Sequence, residues 1–265
     1  SDGESSQLLM NRKDELGQLH NDIYNMASKL AESLDQQKAL MANISHELRT
    51  PLTRLQLALA MLNPIGEDQL NYAKRIEKDI NVMDVLIGQA LQLAKLGDES
   101  QAQWMQVKTE SLSDIINPVL EDLIFEANAS DIALQVNNYQ DVNLPLVRTS
   151  FVSAIENVTR NAIKYSQQNV KVTIELQAST NTTPQFEHIE PMLKITIEDD
   201  GKGLTDEQKA HIFEPFYRAP SGMHYQGTGL GLTIARACIE LHNGKIIADN
   251  SPMGGLCISM LFPLK

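Results

Sequence analysis

From residue 13 to residue 100 the chain holds almost no glycine or proline, and its apolar residues recur at alternating steps of three and four. Leu16, Leu19, Ile23, Met26 and Leu30 keep that spacing; Leu34 follows by an extra four, after which Gln37, Met41, Ile44 and Leu48 resume it. This spacing lays one narrow apolar seam along a long helix. The extra step is a stutter, where a supercoil unwinds locally, and it fits ordinary packing drift equally well. "NPIGED" (63–68) ends the pattern with Pro64 and Gly66 and reads as a short turn. Beyond it Ile76, Ile80, Met83, Ile87, Ala90 and Ala94 carry a second seam. Two long helices on a short loop make an antiparallel hairpin, which alone has little to bury its stripes against. Pairing two hairpins into a four-helix bundle covers them, so the pattern predicts a homodimer.

After "LGDESQAQ" (96–103) the texture changes. Residues 111–129 and 150–166 read as helices, 132–136 as a short strand, and "VKVTIEL" (170–176) and "LKITIED" (193–199) alternate like half-buried strands. Between those strands "QASTNTTPQFEHIEP" (177–191) is expected to be a long, mobile loop. "LTDEQKAHIF" opens with Thr205 three residues before Gln208, a capping-box pattern. "LTIARACIELHNG" (232–244) reads as a helix stopped at Asn243-Gly244, and "KIIADNS" and "LCISMLFPL" as closing strands. Helices then pack on one face of a mixed sheet, a two-layer α/β sandwich. The net charge of −12 argues against nucleic acid as a partner, so any phosphate chemistry needs a local cationic patch or a metal. Cys238 and Cys257 lack metal or redox spacing and read as reduced core residues. No apolar run reaches membrane-span length, so no membrane contact is expected of this segment itself.

Four clusters carry candidate chemistry. In "SHELRTPL" (45–52), His46 falls on the outward side of the first helix, with Glu47 beside it and Thr50 one turn on. A neutral imidazole is a nucleophile near neutral pH, and an adjacent carboxylate can take its other ring proton. Pro51 cannot donate to the carbonyl of residue 47, so the helix is expected to bend or open there. In "ENVTRNAIKYS" (156–166), Asn157, Asn161, Lys164 and Tyr165 share one helix face. An amide oxygen there can ligate Mg²⁺, a lysine can meet phosphate and a tyrosine can stack on a base; a solvated polar face is the rival reading. "DDGKGL" (199–204) ends a strand with Asp199, and Gly201 and Gly203 permit a tight turn. "GTGLGL" (227–232) runs into a helix, where Gly227, Gly229 and Gly231 free backbone N–H groups for phosphate. The irregular stretch before it, "FEPFYRAPSGMHYQ", argues against a dinucleotide fingerprint, which needs a strand there. Within it "FEPFYR" places two phenylalanine anchors beside Arg218, at the hinge of an expected lid over residues 214–227.

Taken in order, these pieces resemble the bacterial two-component sensor histidine kinases. "SHELRTPL" is similar to that family's H-box, "NVTRNAIKY" to its N-box, "DDGKG" to its G1 box, "FEPFYR" to its F-box and "GTGLGL" to its G2 box, from about residue 36 to the end. "HELRTPLTRLQL" is especially similar to the Cpx-type envelope-stress sensors and their osmosensing relatives. The resemblance implies four parts: residues 1–36 as the end of a HAMP-like helix and linker, 37–98 as the dimerising phosphotransfer hairpin, 99–103 as a hinge, and 104–265 as a Bergerat-type ATP-binding domain.

It implies His46 as phosphoacceptor, assisted by Glu47, and Thr50 as orienting water for dephosphorylation of the partner. Asn161 would hold Mg²⁺ with Asn157 as its companion; Lys164 and Arg218 would meet the phosphates of ATP, and Tyr165 and Asp199 the adenine. Gly201 and Gly203 would shape the turn, and Phe216, Gly227, Thr228, Gly229, Leu230 and Gly231 the lid and its base. The implied partner is a response regulator with a receiver domain of the OmpR-like class. The implied location is the cytoplasmic part of a protein anchored in a bacterial inner membrane. One departure is "LPLVRTSF" before the N-box, where the family usually has a Gly-Asp-like pair. A docking scaffold and an ATPase without histidine transfer are the rival classes.

Overall fold

The computed structural model describes residues 15–61, 69–98, 107–137, 139–183, 186–220 and 227–264. The chain divides into two compact units, Ser1–Met83 and Asp84–Lys265. In the first, helix α1 (Glu15–Met61) runs 47 residues through both Leu34 and Pro51. The opening expected below His46 is therefore absent: α1 stays unbroken. Pro51 falls three residues after Leu48, on the seam itself, and is buried. The helix accepts the missing donor at one carbonyl, and the Thr53 hydroxyl donates to the neighbouring carbonyl of Arg49 at 2.9 Å. Helix α2 (Gln69–Asp98) begins in this unit and continues into the second. The turn at 63–68 and the hinge at 99–103 lie outside the described residues.

Among the described seam residues Ile44, Leu48, Ile76 and Met83 are half-buried, and others stand open. Ile23, Met26 and Met41 on α1 are exposed, as are Ile80 and Ile87 on α2. Continuous apolar stripes of this length mark a surface built to be covered.

The second unit centres on a five-stranded sheet with order β2-β4-β5-β7-β6, in which only the β2–β4 pair is parallel. Its strands are β2 (Ala133–Val136), β4 (Asn169–Thr183), β5 (Phe186–Asp199), β6 (Lys245–Asn250) and β7 (Leu256–Pro263). Alternation sets the two faces: Val170, Val172, Ile174, Leu193, Ile195, Ile197, Ile258 and Met260 are buried, and the residues between them form the opposite face. On that opposite face Lys171 pairs with Glu198 and Glu175 with Lys194, opposite charges at directly facing positions. A second, two-stranded sheet, β1 (Lys108–Ser111) with β3 (Asn143–Leu146), is not signalled by the sequence pattern.

The stretch 177–191 is not the loop expected. β4 and β5 stay paired out to Thr183 and Phe186, whereas β7 accompanies β5 only from Met192 onward. The outer halves thus form a two-stranded arm, and Thr180, Thr182, Phe186 and Ile189 supply the β-branched and aromatic residues it needs.

Helices α3 (Leu112–Ala129), α4 (Arg148–Tyr165) and α6 (Gly231–Leu241) are the long helices of this unit, and each buries one stripe of apolar residues. Short helix α5 (Asp206–His211) carries the expected capping box of Thr205 and Gln208. Pro118 within α3 cannot donate to the carbonyl of Asp114, and Arg148 Nη2 donates there instead, at 3.1 Å. Arg148 also pairs with Glu110 at 2.6 Å. The "LPLVRTSF" departure is accommodated by buried His242, whose Nε2 accepts the Val147 N–H at 3.0 Å. Its Nδ1 lies 2.7 Å from the Cys238 carbonyl and donates to it. Phe151 and Phe262 pack edge-on against the ring.

With one nitrogen donating and the other accepting, His242 is held neutral, and burial holds its pKa below the usual value of 6.5. Its contribution to stability is whole above the free-histidine pKa and is lost as pH falls from there through the lower folded pKa. Thermal denaturation should show the melting temperature falling from pH 7 toward pH 5. His242→Gln should be less stable at pH 7 by about 1–3 kcal/mol, with a flatter pH dependence in that window.

Candidate active site

One polar face of α4 organises the cleft of the second unit. Asn157, Asn161, Lys164 and Tyr165 follow one another along it, and none is fully buried although the opposite face is core. At the C-terminal end of α4 the sheet supplies Asp199, the last residue of β5, at 3% exposure. A carboxylate there needs partners. The N–H groups of Gly201 and Leu256 both donate to Oδ1, at 2.9 and 3.1 Å. Burial nevertheless pushes the Asp199 pKa up. The second oxygen is left to receive a donor from the cleft, which Asp199 lines together with Asn161, Tyr165 and Arg218.

Two glycines allow this meeting. A Cβ on Gly201 would lie 2.5 Å from the carbonyl oxygen of Tyr165, so only glycine lets the turn after β5 approach the end of α4. A Cβ on Gly255 would overlap Asp199 itself, contacting both Oδ1 and the backbone oxygen. Gly203 adopts φ +64°.

The other end of the α4 face meets the start of α6. Asn157 Nδ2 donates to the Ser153 carbonyl at 2.8 Å, which turns Oδ1 toward Gly231, where a Cβ would stand 3.1 Å away. The first turn of α6 therefore opens beside an amide oxygen, and its unpaired N–H groups and positive dipole end favour an anion. Lys164 reaches the other side of the same glycine-rich segment, its Nζ in the space a Cβ on Gly227 would need. Burial, and then the charge of Arg218, lower the Lys164 pKa to about 8.

The remaining expected residues hold the frame. Phe216 (φ +64°) and Gly229 (φ +76°) are both left-handed, joined by a 3.0 Å bond from Phe216 N–H to the Gly229 carbonyl. A Cβ on Gly229 would press into the Phe216 backbone. The middle of the expected lid, 221–226, lies outside the described residues. The Leu230 side chain is fully buried in the core. The Thr228 hydroxyl donates to Gln89 Oε1 at 2.5 Å and accepts from Leu230 N–H, rather than facing the cleft.

His46 belongs to the first unit. Its side chain is 76% exposed, and Nδ1 lies 3.5 Å from Glu47 Oε1, so the carboxylate reaches sideways around the helix as its i, i+1 position requires. Thr50 is exposed one turn further along α1.

Residues 36–99 match the His Kinase A (phospho-acceptor) domain, and residues 147–265 match the histidine kinase-, DNA gyrase B-, and HSP90-like ATPase family. The chain belongs to the sensor histidine kinases. It is 33% identical over 243 residues to sensor histidine kinase CpxA of Escherichia coli strain K12, a match covering 90% of this chain and 50% of the relative. It is 32% identical over 254 residues to sensor protein PfeS of Pseudomonas aeruginosa, covering 95% of this chain and 52% of that protein. The chain thus spans about half the length of these curated relatives. In fold it is similar to the Acinetobacter baumannii histidine kinase AdeS, with a TM-score of 0.61 at 21% identity, over 83% of this chain and 98% of that one. It is similar also to full-length ShkA in complex with AMPPNP, with a TM-score of 0.58 at 20% identity, over 85% of this chain and 45% of that one.

Sequence reasoning missed the apolar lining of the kinase cleft, Leu204, Ile212, Leu232 and Leu256, and also Tyr217. Leu256 and Gly255 come from "MGGL", which by itself signals only a tight turn between strands. Gly255→Ala should destabilise the second unit by about 2–4 kcal/mol, whereas Gly88→Ala, with nothing within 4 Å of its Cβ, should be neutral or stabilising. Denaturant unfolding of the two variants checks the contrast.

Proposed function

We propose that the protein autophosphorylates on His46 with ATP and passes the phosphoryl group to an aspartate of a response regulator. The observation that carries this reading is the direction of the α4 face, which runs from buried Asp199 to the glycine-rich start of α6. A nucleotide laid along it has its adenine amino group at Asp199, its ring beside Tyr165, and its phosphates at Asn157, Lys164, Arg218 and the α6 N-terminus. Asp199 and Tyr165 thus take the base end and Asn157 with the α6 N-terminus the phosphate end, while Lys164 reaches from beside Tyr165 toward Gly227.

Asn161 lies between these ends with its amide facing the cleft. Among the described residues no cluster of three acidic, histidine or cysteine side chains is placed to hold a metal. One amide oxygen together with phosphate oxygens and water suits Mg²⁺, which keeps several waters and demands few protein ligands. When bound, the ion would neutralise charge on the phosphoryl oxygens. Lys164 and Arg218 add to this as the P–O bond to ADP breaks and the bond to nitrogen forms. Since Nδ1 of His46 faces Glu47, Nε2 is the nitrogen left for attack, and Glu47 takes the ring proton from Nδ1. Thr50 orients water for the reverse duty, dephosphorylation of the regulator.

The exposed seam residues of α1 and α2 support a homodimer formed through the helical hairpin. The parts are assigned as a relay helix up to residue 36, a phosphotransfer hairpin over 37–98, a hinge at 99–103 and a catalytic domain over 104–265. Among the described residues no helix is long and apolar enough to cross a membrane. The full protein is assigned to the bacterial inner membrane with this part in the cytoplasm, as a member of the Cpx-type subgroup acting on an OmpR-like regulator.

With γ-labelled ATP the wild-type protein should acquire acid-labile, base-stable label that is absent from His46→Gln. Label that survives that substitution overturns the assignment, and steady phosphate release independent of His46 would identify an ATPase without histidine transfer. Because Lys164 titrates near pH 8 before ligand binds, its charge is present below that pH and lost above it. ATP affinity measured by calorimetry should fall between pH 7 and pH 9, and Lys164→Arg should flatten the profile.

A further inference from the structure

Asp200, the second carboxylate of "DDGKG", does not line the cleft, yet it holds the cleft's two walls together. Its Oδ1 accepts the N–H groups of Gln167 and Gln168 at 2.7 and 3.1 Å. Its Oδ2 accepts from Gln168 N–H, Asn169 N–H and Asn169 Nδ2 at 3.2, 3.0 and 3.0 Å. Its own carbonyl accepts from Gln167 Nε2 at 3.1 Å. Three successive backbone N–H groups converging on one carboxylate make a concave anion nest. Burial pushes the Asp200 pKa up, but those donors outweigh it and hold the carboxyl below its usual value.

The location gives the nest its meaning. Residues 167–169 are the turn by which the chain leaves α4 after Tyr165 and enters β4. Asp200 follows Asp199, the end of β5, and precedes Gly201, which abuts the Tyr165 carbonyl. Tyr165 and Asp199 are carried by different elements, a helix and a strand. Asp200 is the side chain that ties the end of one to the end of the other.

We propose that Asp200 is a positioning residue for nucleobase selection: it fixes the separation of Tyr165 and Asp199, and so the preference for adenine, without touching the nucleotide. This rests on reading the cleft as an ATP site. A staple with no bearing on the base would cost stability alone. Positioning predicts a loss confined to the adenine end, because the phosphate end at Asn157 and Gly231 is anchored through Ser153 and α6.

The experiment measures Kd for ATP and for inosine triphosphate, which carries a carbonyl in place of the adenine amino group, on the whole chain by calorimetry, well below each variant's melting temperature. Wild type should prefer ATP. Asp200→Ala should weaken ATP by about tenfold or more, equivalent to about 1.4 kcal/mol, with inosine triphosphate little changed, so the preference collapses. The rate of His46 phosphorylation at saturating ATP should stay within about twofold, giving a KM effect without a kcat effect. Asp200→Asn keeps an oxygen for Gln167 and Gln168 but sets an amide N–H₂ against the Asn169 donors, so it should fall between the two. Should the alanine variant fail to fold, the asparagine variant carries the same comparison.

Equal weakening of both nucleotides, or an unchanged preference with a lowered melting temperature, overturns the proposal and leaves a staple. Asp199→Asn separates this from failure of the underlying reading. If it changes the preference while the Asp200 variants do not, the positioning role alone falls. If it too leaves the preference unchanged, or wild type binds no ATP, the adenine site falls and this proposal with it.

Discussion

The second unit depends on one close approach, that of the strand end carrying Asp199 to the end of α4. Gly201 lets the turn touch the Tyr165 carbonyl, and Gly255 leaves room for the Asp199 carboxylate behind it. A carboxylate 97% removed from solvent is tolerated there because two backbone N–H groups meet one of its oxygens. Both donors belong to backbone whose path is set by those glycines. Losing either glycine would displace the donors together with the space. The rest of the cleft follows from this junction: it fixes where α4 ends, and α4 carries the other polar residues in order along its length.

The two halves of the chemistry follow different physical rules. The cleft of the second unit is half-buried, and backbone groups hold Asn157 and Asp199 in place there. His46 stands on an exposed helix face with one carboxylate beside it. On the proposed reading His46 would serve two partners in turn, a nucleotide and a receiver domain, and such a nucleophile is better presented than enclosed. The unbroken course of α1 through Pro51 fits that role. The proline removes one hydrogen bond near the reactive turn without breaking the rod that presents it, so the helix is locally weakened rather than interrupted.

Long-period patterns were legible in the sequence, and close approaches were not. Both long helices, the α/β layering and the capping box at Thr205 follow from periodicity and from local side-chain chemistry. The arm over 177–191 was misread because polar, proline-bearing composition outweighed its β-branched residues. In the site, motif order located the α4 face and Asp199. Gly255, by contrast, is defined by which atoms a missing Cβ would strike, and that depends on a partner 56 positions away in the chain. The role of Leu230 differs for a related reason: a leucine between glycines reads as part of a phosphate loop, but its side chain is what anchors that loop in the core.

Electrostatics complete the account. A chain with net charge −12 repels a polyanionic substrate at long range, so binding has to be won locally. On the proposed reading Lys164 and Arg218 supply that locality; burial first, and then repulsion from the Arg218 charge, lower the Lys164 pKa to about 8. In the proposed complex a triphosphate would relieve that repulsion, so that each cation stabilises the ligand and the ligand both cations. At Asp199, the proposed adenine contact, burial likewise disfavours the charged form and raises the carboxyl pKa. Lys164 and Asp199 thus both carry charged forms that burial disfavours. In the proposed complex each would become favourable only opposite its own ligand part, which would tie occupation of the cleft to a correctly oriented nucleotide.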